Sequence, residues 1–246
     1  DMTAPSDTVK TQLAPTGVLR AGINMSNFLL VVDKTPDGDP IGPSPSIARA
    51  IADALGVELK LVPYDNPSAV AEAAGTGAWD IGNIGAEPQR AAVMDFTAAY
   101  AEIEATYLVP PDSPLTAIEQ VDQPGNRISV SKGSAYGLWL ENNMEKAELC
   151  PIVGGDAAFD QFVNDEMDAL ASLRPRLLTE KDKLPGARIL DGQFSAVQQA
   201  VGVNKGNPEA YEWLKGFVEK AKESGMVAGF IASHGVEGKL SVGRPA

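Results

Sequence analysis

The chain has 246 residues, of which 44% are hydrophobic and 22% charged, the composition of an ordinary globular protein with room for one large core or two of about 100 residues each. Its formal net charge of -13 excludes partners that demand a basic surface, nucleic acid and anionic membranes among them; a small anionic ligand stays possible, because one sheltered arginine acts locally while surface charge is screened beyond ~10 Å. Cys150 is the single cysteine and His234 the single histidine, which excludes an internal disulfide and a Cys/His zinc cluster, and no run approaches the ~18 apolar residues of a membrane span. The expectation is therefore a protein with neither metal nor cofactor.

Residues 1–17 mix polar residues with proline and read as a frayed terminus that passes through a short helix into a first strand, VLRAGI (18–23). The opening at Asp1, with no apolar signal core, suits a mature form whose signal peptide has been removed, and hence a periplasmic location. A hairpin-like stretch spans 28–42, with Pro36, Asp37 and Gly38 as turn residues; the Asp33 to Asp39 spacing lacks the alternating ligands and terminal Glu of a calcium loop. Ser46 precedes a stripe of Ile47, Ala50, Ile51, Ala54 and Leu55 closed by Gly56, which predicts an amphipathic helix. A strand (57–64), an Ala-rich helix (67–77) and a strand, WDIGNIGA (79–86), follow.

The stretch 105–115 carries three prolines and marks a boundary, after which the alternation starts again. It runs through a strand NRISV (126–130), a helix from Ser134 toward Lys146, a strand (148–153), a helix around Phe159–Asn164 and a strand DALAS (168–172). RILDG (188–192) and QQAVGV (198–203) read as further strands. A helix with Asn207 at its cap and Pro208 in its first turn ends at Gly225, before a short helix containing Phe230 and Ile231. Such alternation predicts α/β units with mostly parallel sheets and ligand crevices beyond the carboxyl ends of the strands. Ser131, Gly133, Ser134, Ala135 and Tyr136 form one strand-to-helix turn there, whose amides and positive helix end make an anion site; Ser134 serves equally as an N-cap. Trp79, Trp139 and Trp213 read as packing residues.

Several segments together carry a resemblance: APTGVLRAGIN, IARAIADALGV, GTGAWDIGNIGAEPQRAAVMDFTAAY, VDQPGNRISVSKGSAY, DALAS and QQAVGVNKGN. Over about residues 16–235 the chain resembles the type II periplasmic solute-binding proteins of polar amino-acid ABC transporters, bacterial extracellular solute-binding family 3. The resemblance implies a two-lobed α/β protein, with lobe 1 over 1–101 plus 199–246, lobe 2 over 104–195, and hinge strands near 101–104 and 195–199. It implies a monomer, not an enzyme, that captures a small carboxylate-bearing solute (an amino acid, a derivative or an organic acid) between its lobes and delivers it to an ABC permease in the inner membrane. The alternative on the same scaffold is a cyclohexadienyl or arogenate dehydratase-like enzyme. That chemistry needs an acid near the second crossing, where this chain has Gln198.

Residue by residue, Arg90 matches the family's carboxylate-binding arginine, whose planar fork pairs with a carboxylate in two charge-assisted bonds. Asn83, Gly85 and Ala86 stand where the family offers backbone groups to the ligand, although Gly85 also serves simply to end the strand. Asn24, Ser26, Asn27 and Phe28 follow the first strand, where the family places an aromatic and a polar contact. After DALAS the amino-acid binders have an aspartate for the α-ammonium group; here Leu173 stands between Ser172 and Arg174. An ordinary amino acid thus loses its expected partner unless another acid such as Glu87 substitutes. Arg174 either adds an anion contact or snorkels from a helix start, and Gln193, Phe194 and Gln198 either line the cleft or pack the hinge.

Overall fold

The computed structural model describes residues 4–246 and divides into two compact units, one running up to Glu102 and resuming over Gln198–Ala246, the other spanning Ile103–Val197. The first unit opens with α1 (Asp7–Leu13), β1 (Val18–Asn24), β2 (Asp33–Lys34), β3 (Pro40–Ile41), α2 (Pro43–Leu55), β4 (Glu58–Tyr64), α3 (Pro67–Glu72), β5 (Ile81–Gly85), β6 (Met94–Phe96) and the start of β7 (Ala101–Val109). The second carries the rest of β7, then β8 (Arg127–Ser131), α4 (Ala135–Asn143), β9 (Glu148–Ile152), α5 (Gly155–Asn164), β10 (Ala169–Leu173), α6 (Arg174–Asp182), β11 (Arg188–Ile189) and the start of β12 (Ser195–Asn204). The chain then returns to the first unit for the rest of β12, α7 (Pro208–Glu223), α8 (Met226–Ser233) and β13 (Ser241–Val242).

In the first unit β4 and β5 flank β1 in parallel, and β12 runs antiparallel against β5. In the second, β9 and β10 flank β8 in parallel, and β7 runs antiparallel against β10. Each unit therefore repeats one plan, in which the chain lays its second strand on one side of the first and its third on the other. That reversal opens a crevice at the carboxyl ends of the first and third strands, so the loops after β1 and β5, and after β8 and β10, become the candidate ligand loops.

Local chemistry explains the element boundaries. α2 begins at Pro43, three residues before the expected Ser46, because Pro43 and Pro45 occupy the first turn, where a missing N–H costs nothing. A Cβ at the preceding Gly42 would collide with the carbonyl of Leu30, so only glycine lets the chain enter there. The buried face is Ile47, Ala48, Ile51, Ala52 and Leu55; the stripe expected from the sequence is turned slightly, with Ala50 and Ala54 only half-buried. α3 is shorter than the expected 67–77, since Gly75 and Gly77 take left-handed φ values of 75° and 82° and unwind it. The fully buried Trp79 donates from Nε1 to the Val70 carbonyl at 2.9 Å and lies against β1 and β5 where Gly22 and Gly82 leave room; a Cβ on either would sit 3.1 Å from the indole. In the second unit β7 alternates sides, Tyr107 and Val109 joining one apolar cluster and Leu108 the other, so its sheet is covered on both faces.

Candidate functional site

In the first unit the loops after β1 and β5 are neighbours because those strands pair with Ile23 opposite Asn83. Asn24 Oδ1 accepts from the Ser26 amide at 3.0 Å and hydroxyl at 2.7 Å, and Asn27 Oδ1 accepts from the Leu29 amide at 3.1 Å. These local turns consume both side-chain oxygens and push Phe28 outward, to 83% exposure. Beyond β5, Arg90 folds back so that Nη1 donates to the Gly85 carbonyl at 3.0 Å, and a Cβ at Gly85 would stand 3.4 Å from that nitrogen. The Glu87 carboxylate approaches the other terminal nitrogen only to 3.8 Å. The Ala86 amide donates to the Gln198 carbonyl at 2.8 Å, which ties the end of β5 to β12. A sheltered guanidinium, fixed at one nitrogen and loosely countered at the other, therefore stands at the carboxyl end of a central strand. That arrangement suits a carboxylate with two acceptor oxygens.

Asn83 lies inside β5. Its side chain is buried and donates to the Ser44 carbonyl of α2 at 3.2 Å, and its own Oδ1 has no hydrogen-bond partner among the described residues. Its backbone lies in the sheet between Ile23 and Val201, which ties Asn83 to the packing of the unit.

In the second unit Ser134 caps α4, accepting from the Gly137 amide at 3.0 Å and donating to the Ser131 carbonyl at 2.7 Å, while Ala135 is exposed. The Tyr136 hydroxyl lies 3.5 Å from Ser172 Oγ, so the loop after β8 meets the end of β10. Arg174 donates from Nε to the Glu104 carboxylate at 2.6 Å and from a terminal nitrogen to the Gly192 carbonyl at 2.5 Å. Arg174 is thus an ion-pair partner of Glu104, and Leu173 lies opposite Ala105 in the sheet beside that pair. Glu104 escaped the sequence reading. The available signal was the pair of acids, Glu102 and Glu104, inside the otherwise apolar strand 101–109.

Two α/β units of matching strand order, each presenting its candidate residues beyond its strand ends, define the fold of the type II periplasmic binding proteins. The chain belongs to the bacterial extracellular solute-binding proteins, family 3, whose model matches residues 19–235. Among solved structures it is similar to a binding component of an ABC transporter from Wolinella succinogenes complexed with lysine, at 20% identity over 89% of this chain and 95% of that one, with a TM-score of 0.63. It is also similar to an amino-acid ABC transporter substrate-binding protein from Streptococcus pneumoniae bound to L-arginine, at 22% identity over 93% and 98% of the two chains, TM-score 0.59. A third likeness is to an ancestral cyclohexadienyl dehydratase, at 21% identity over 94% and 97%, TM-score 0.61. No curated protein sequence matches the chain.

Proposed function

We propose that this protein is the periplasmic solute receptor of an ABC importer, working as a monomer that captures a small carboxylate-bearing molecule between its two units and delivers it to an inner-membrane permease. The observation that carries the reading is Arg90, sheltered at the end of β5, with one nitrogen on the Gly85 carbonyl and no hydrogen-bonded acid beside it. Ser134, Ala135 and Tyr136 supply the matching donors at the start of α4, and Gln198 borders the Arg90 side through its carbonyl. Where a carboxylate would be needed to hold an α-ammonium group, the second unit offers Leu173, and its nearby acid, Glu104, is already neutralised by Arg174. Leaving an ammonium without a counter-charge is costly, which favours an organic acid or a derivative lacking that group.

Purified protein would be screened by thermal shift against succinate, glutarate, 2-oxoglutarate, phenylpyruvate, L-lysine and L-arginine. A bound compound at 100 times its dissociation constant adds about 2.7 kcal/mol of stability. The expected result is a shift with one or more acids that lack an α-ammonium, together with an affinity loss on the order of tenfold to a hundredfold in Arg90→Ala. A panel that gives no shift, or an Arg90→Ala variant that binds as well as wild type, would sink the reading. Dehydratase activity is the second reading, favoured by the likeness to an ancestral dehydratase. It is opposed by Gln198, which cannot act as the proton donor such an elimination needs, and it predicts turnover of prephenate or arogenate, which the receptor reading does not.

A further inference from the structure

The segment after α8 returns across the first unit to the last residues of that unit before the chain crosses. β13 pairs antiparallel with β7 at that point, Ser241 opposite Glu102 and Val242 opposite Ala101. The Gly243 amide donates to the Tyr100 carbonyl at 2.8 Å, and a Cβ at Gly243 would collide with the Ala99 carbonyl oxygen, so the approach demands glycine. Lys222 of α7, its side chain only 5% exposed, donates to the Ala99 carbonyl at 3.1 Å and to the Arg244 carbonyl at 2.7 Å, bridging the two segments. Arg244 donates from its amide and from Nε to the buried Glu102 carboxylate at 3.3 and 3.4 Å, and the Ala246 amide donates to Glu219 at 3.0 Å. An open pocket of about 390 Å³ is lined by Arg244, Pro245 and Ala246 together with Ala86 and Gln198. These last two are the residues that join the end of β5 to β12 beside Arg90.

We propose that Ser241–Ala246 is a strap, with Lys222 as its positioning residue, that holds Ala99–Glu102 and the Ala86–Gln198 junction in place and thereby sets how tightly the first unit grips a solute. The buried Lys222 ammonium pairs with Glu219 of its own helix at 2.8 Å and also holds two main-chain carbonyls from segments over 140 positions apart, so it ties α7 to both. It fixes the strap against Ala99, two residues before β7, and the strap shares the lining of the pocket with Ala86 and Gln198. Because the site it steadies is the one proposed above, the inference rests on that reading.

The test separates the two. Hydrogen–deuterium exchange of the ligand-free full chain would be compared for wild type, Lys222→Met, Lys222→Arg and Gly243→Ala, with affinities for the six-compound panel measured in parallel. The expected result is exchange faster by about tenfold at residues 99–102 in Lys222→Met and Gly243→Ala, with β10 in the other unit unchanged, and partial rescue in Lys222→Arg. Affinity for whichever panel compound wild type binds should fall by about threefold to tenfold in the same variants, with Arg90 intact. Unchanged exchange at 99–102, or an equal rise in both units, overturns the strap. If no panel compound binds wild type, the receptor reading fails while the exchange data still decide whether the strap exists.

Discussion

At the scale of single residues, charge placement separates structure from function. Asp80, with 4% exposure, accepts from the Arg20 amide at 2.9 Å, from Nε at 3.1 Å and from Nη2 at 2.7 Å, all within the first unit. Asp80→Ala leaves that guanidinium without its acid and three donors without their acceptor. The expected cost is about 3 kcal/mol, at the lower end of the range for a broken buried pair because Arg20 is partly exposed, and chemical denaturation would read it. The pair formed by Arg174 and Glu104 is a different case. Both side chains keep contact with solvent, at 20% and 30% exposure, so removing the arginine should change stability by no more than about 1 kcal/mol. What changes is the chemistry on offer: Arg174→Ala leaves Glu104 a bare carboxylate next to Leu173. L-Lysine and L-arginine should then raise the melting temperature of the variant more than that of wild type. Equal shifts in both proteins would mean that Glu104 does not govern selection against ammonium groups.

Individual elements show why some of this could be read from the chain and some could not. The helices α2, α4, α5 and α7 announce themselves through apolar spacing, turn residues and caps, and the paired prolines at 43 and 45 misled only the start of α2. Arg90 and the turn after β8 were legible because a motif fixes their place relative to a strand end. Three features were not. The partner of Arg174 lies 70 positions away, Asn83 is turned toward α2 by its position in a central strand, and the strap contacts join residues that no local pattern connects. Gly137 is similarly opaque in sequence. In α4 it occupies a position where a Cβ would stand 2.7 Å from the Ser134 hydroxyl oxygen and 2.8 Å from the Ser131 carbonyl, so the first turn of the helix sits directly on the end of β8. Alanine is ordinarily the better helix former by ~1 kcal/mol. Gly137→Ala should nevertheless lower the melting temperature, since it displaces the N-cap, and a stabilised variant would show that the turn has slack the structure does not display.

For the molecule as a whole, the repeated plan means that each unit owns its core, and each core holds a buried tyrosine close in sequence to the first crossing. Tyr100 lies in the first unit and Tyr107 in the second, and burial pushes both phenols well above the ordinary tyrosine range, with the charge of Asp122 adding to the effect at Tyr107. A raised pKa in the folded state means that folding favours the protonated phenol. The associated stability is therefore fully present below the unfolded value of about 10 and is lost as pH rises from there toward the folded value. A carboxylate held below its ordinary range acts in the opposite direction and at the other end of the scale. Asp122 is such a group: burial pulls it upward, but the amides of Ala147, Glu145 and Lys146 more than offset that, so its contribution fades as the solution is acidified through the carboxylate range. Urea midpoints measured from neutral pH to pH 11 should consequently fall along an alkaline limb to which both tyrosines contribute. Tyr100→Phe and Tyr107→Phe should each flatten that limb and the double variant should flatten it further, with the dependence near neutral pH as in wild type. The two substitutions differ in what else they remove. Tyr100→Phe also removes the contact between the buried Tyr100 hydroxyl and Ser44, whereas the Tyr107 ring packs on Phe194 at 4.7 Å and must be kept as an aromatic for the comparison to report the phenol alone. An alkaline limb identical in wild type and double variant would place the phenols in contact with solvent, and would contradict the burial of Tyr100 within the first unit and of Tyr107 within the second.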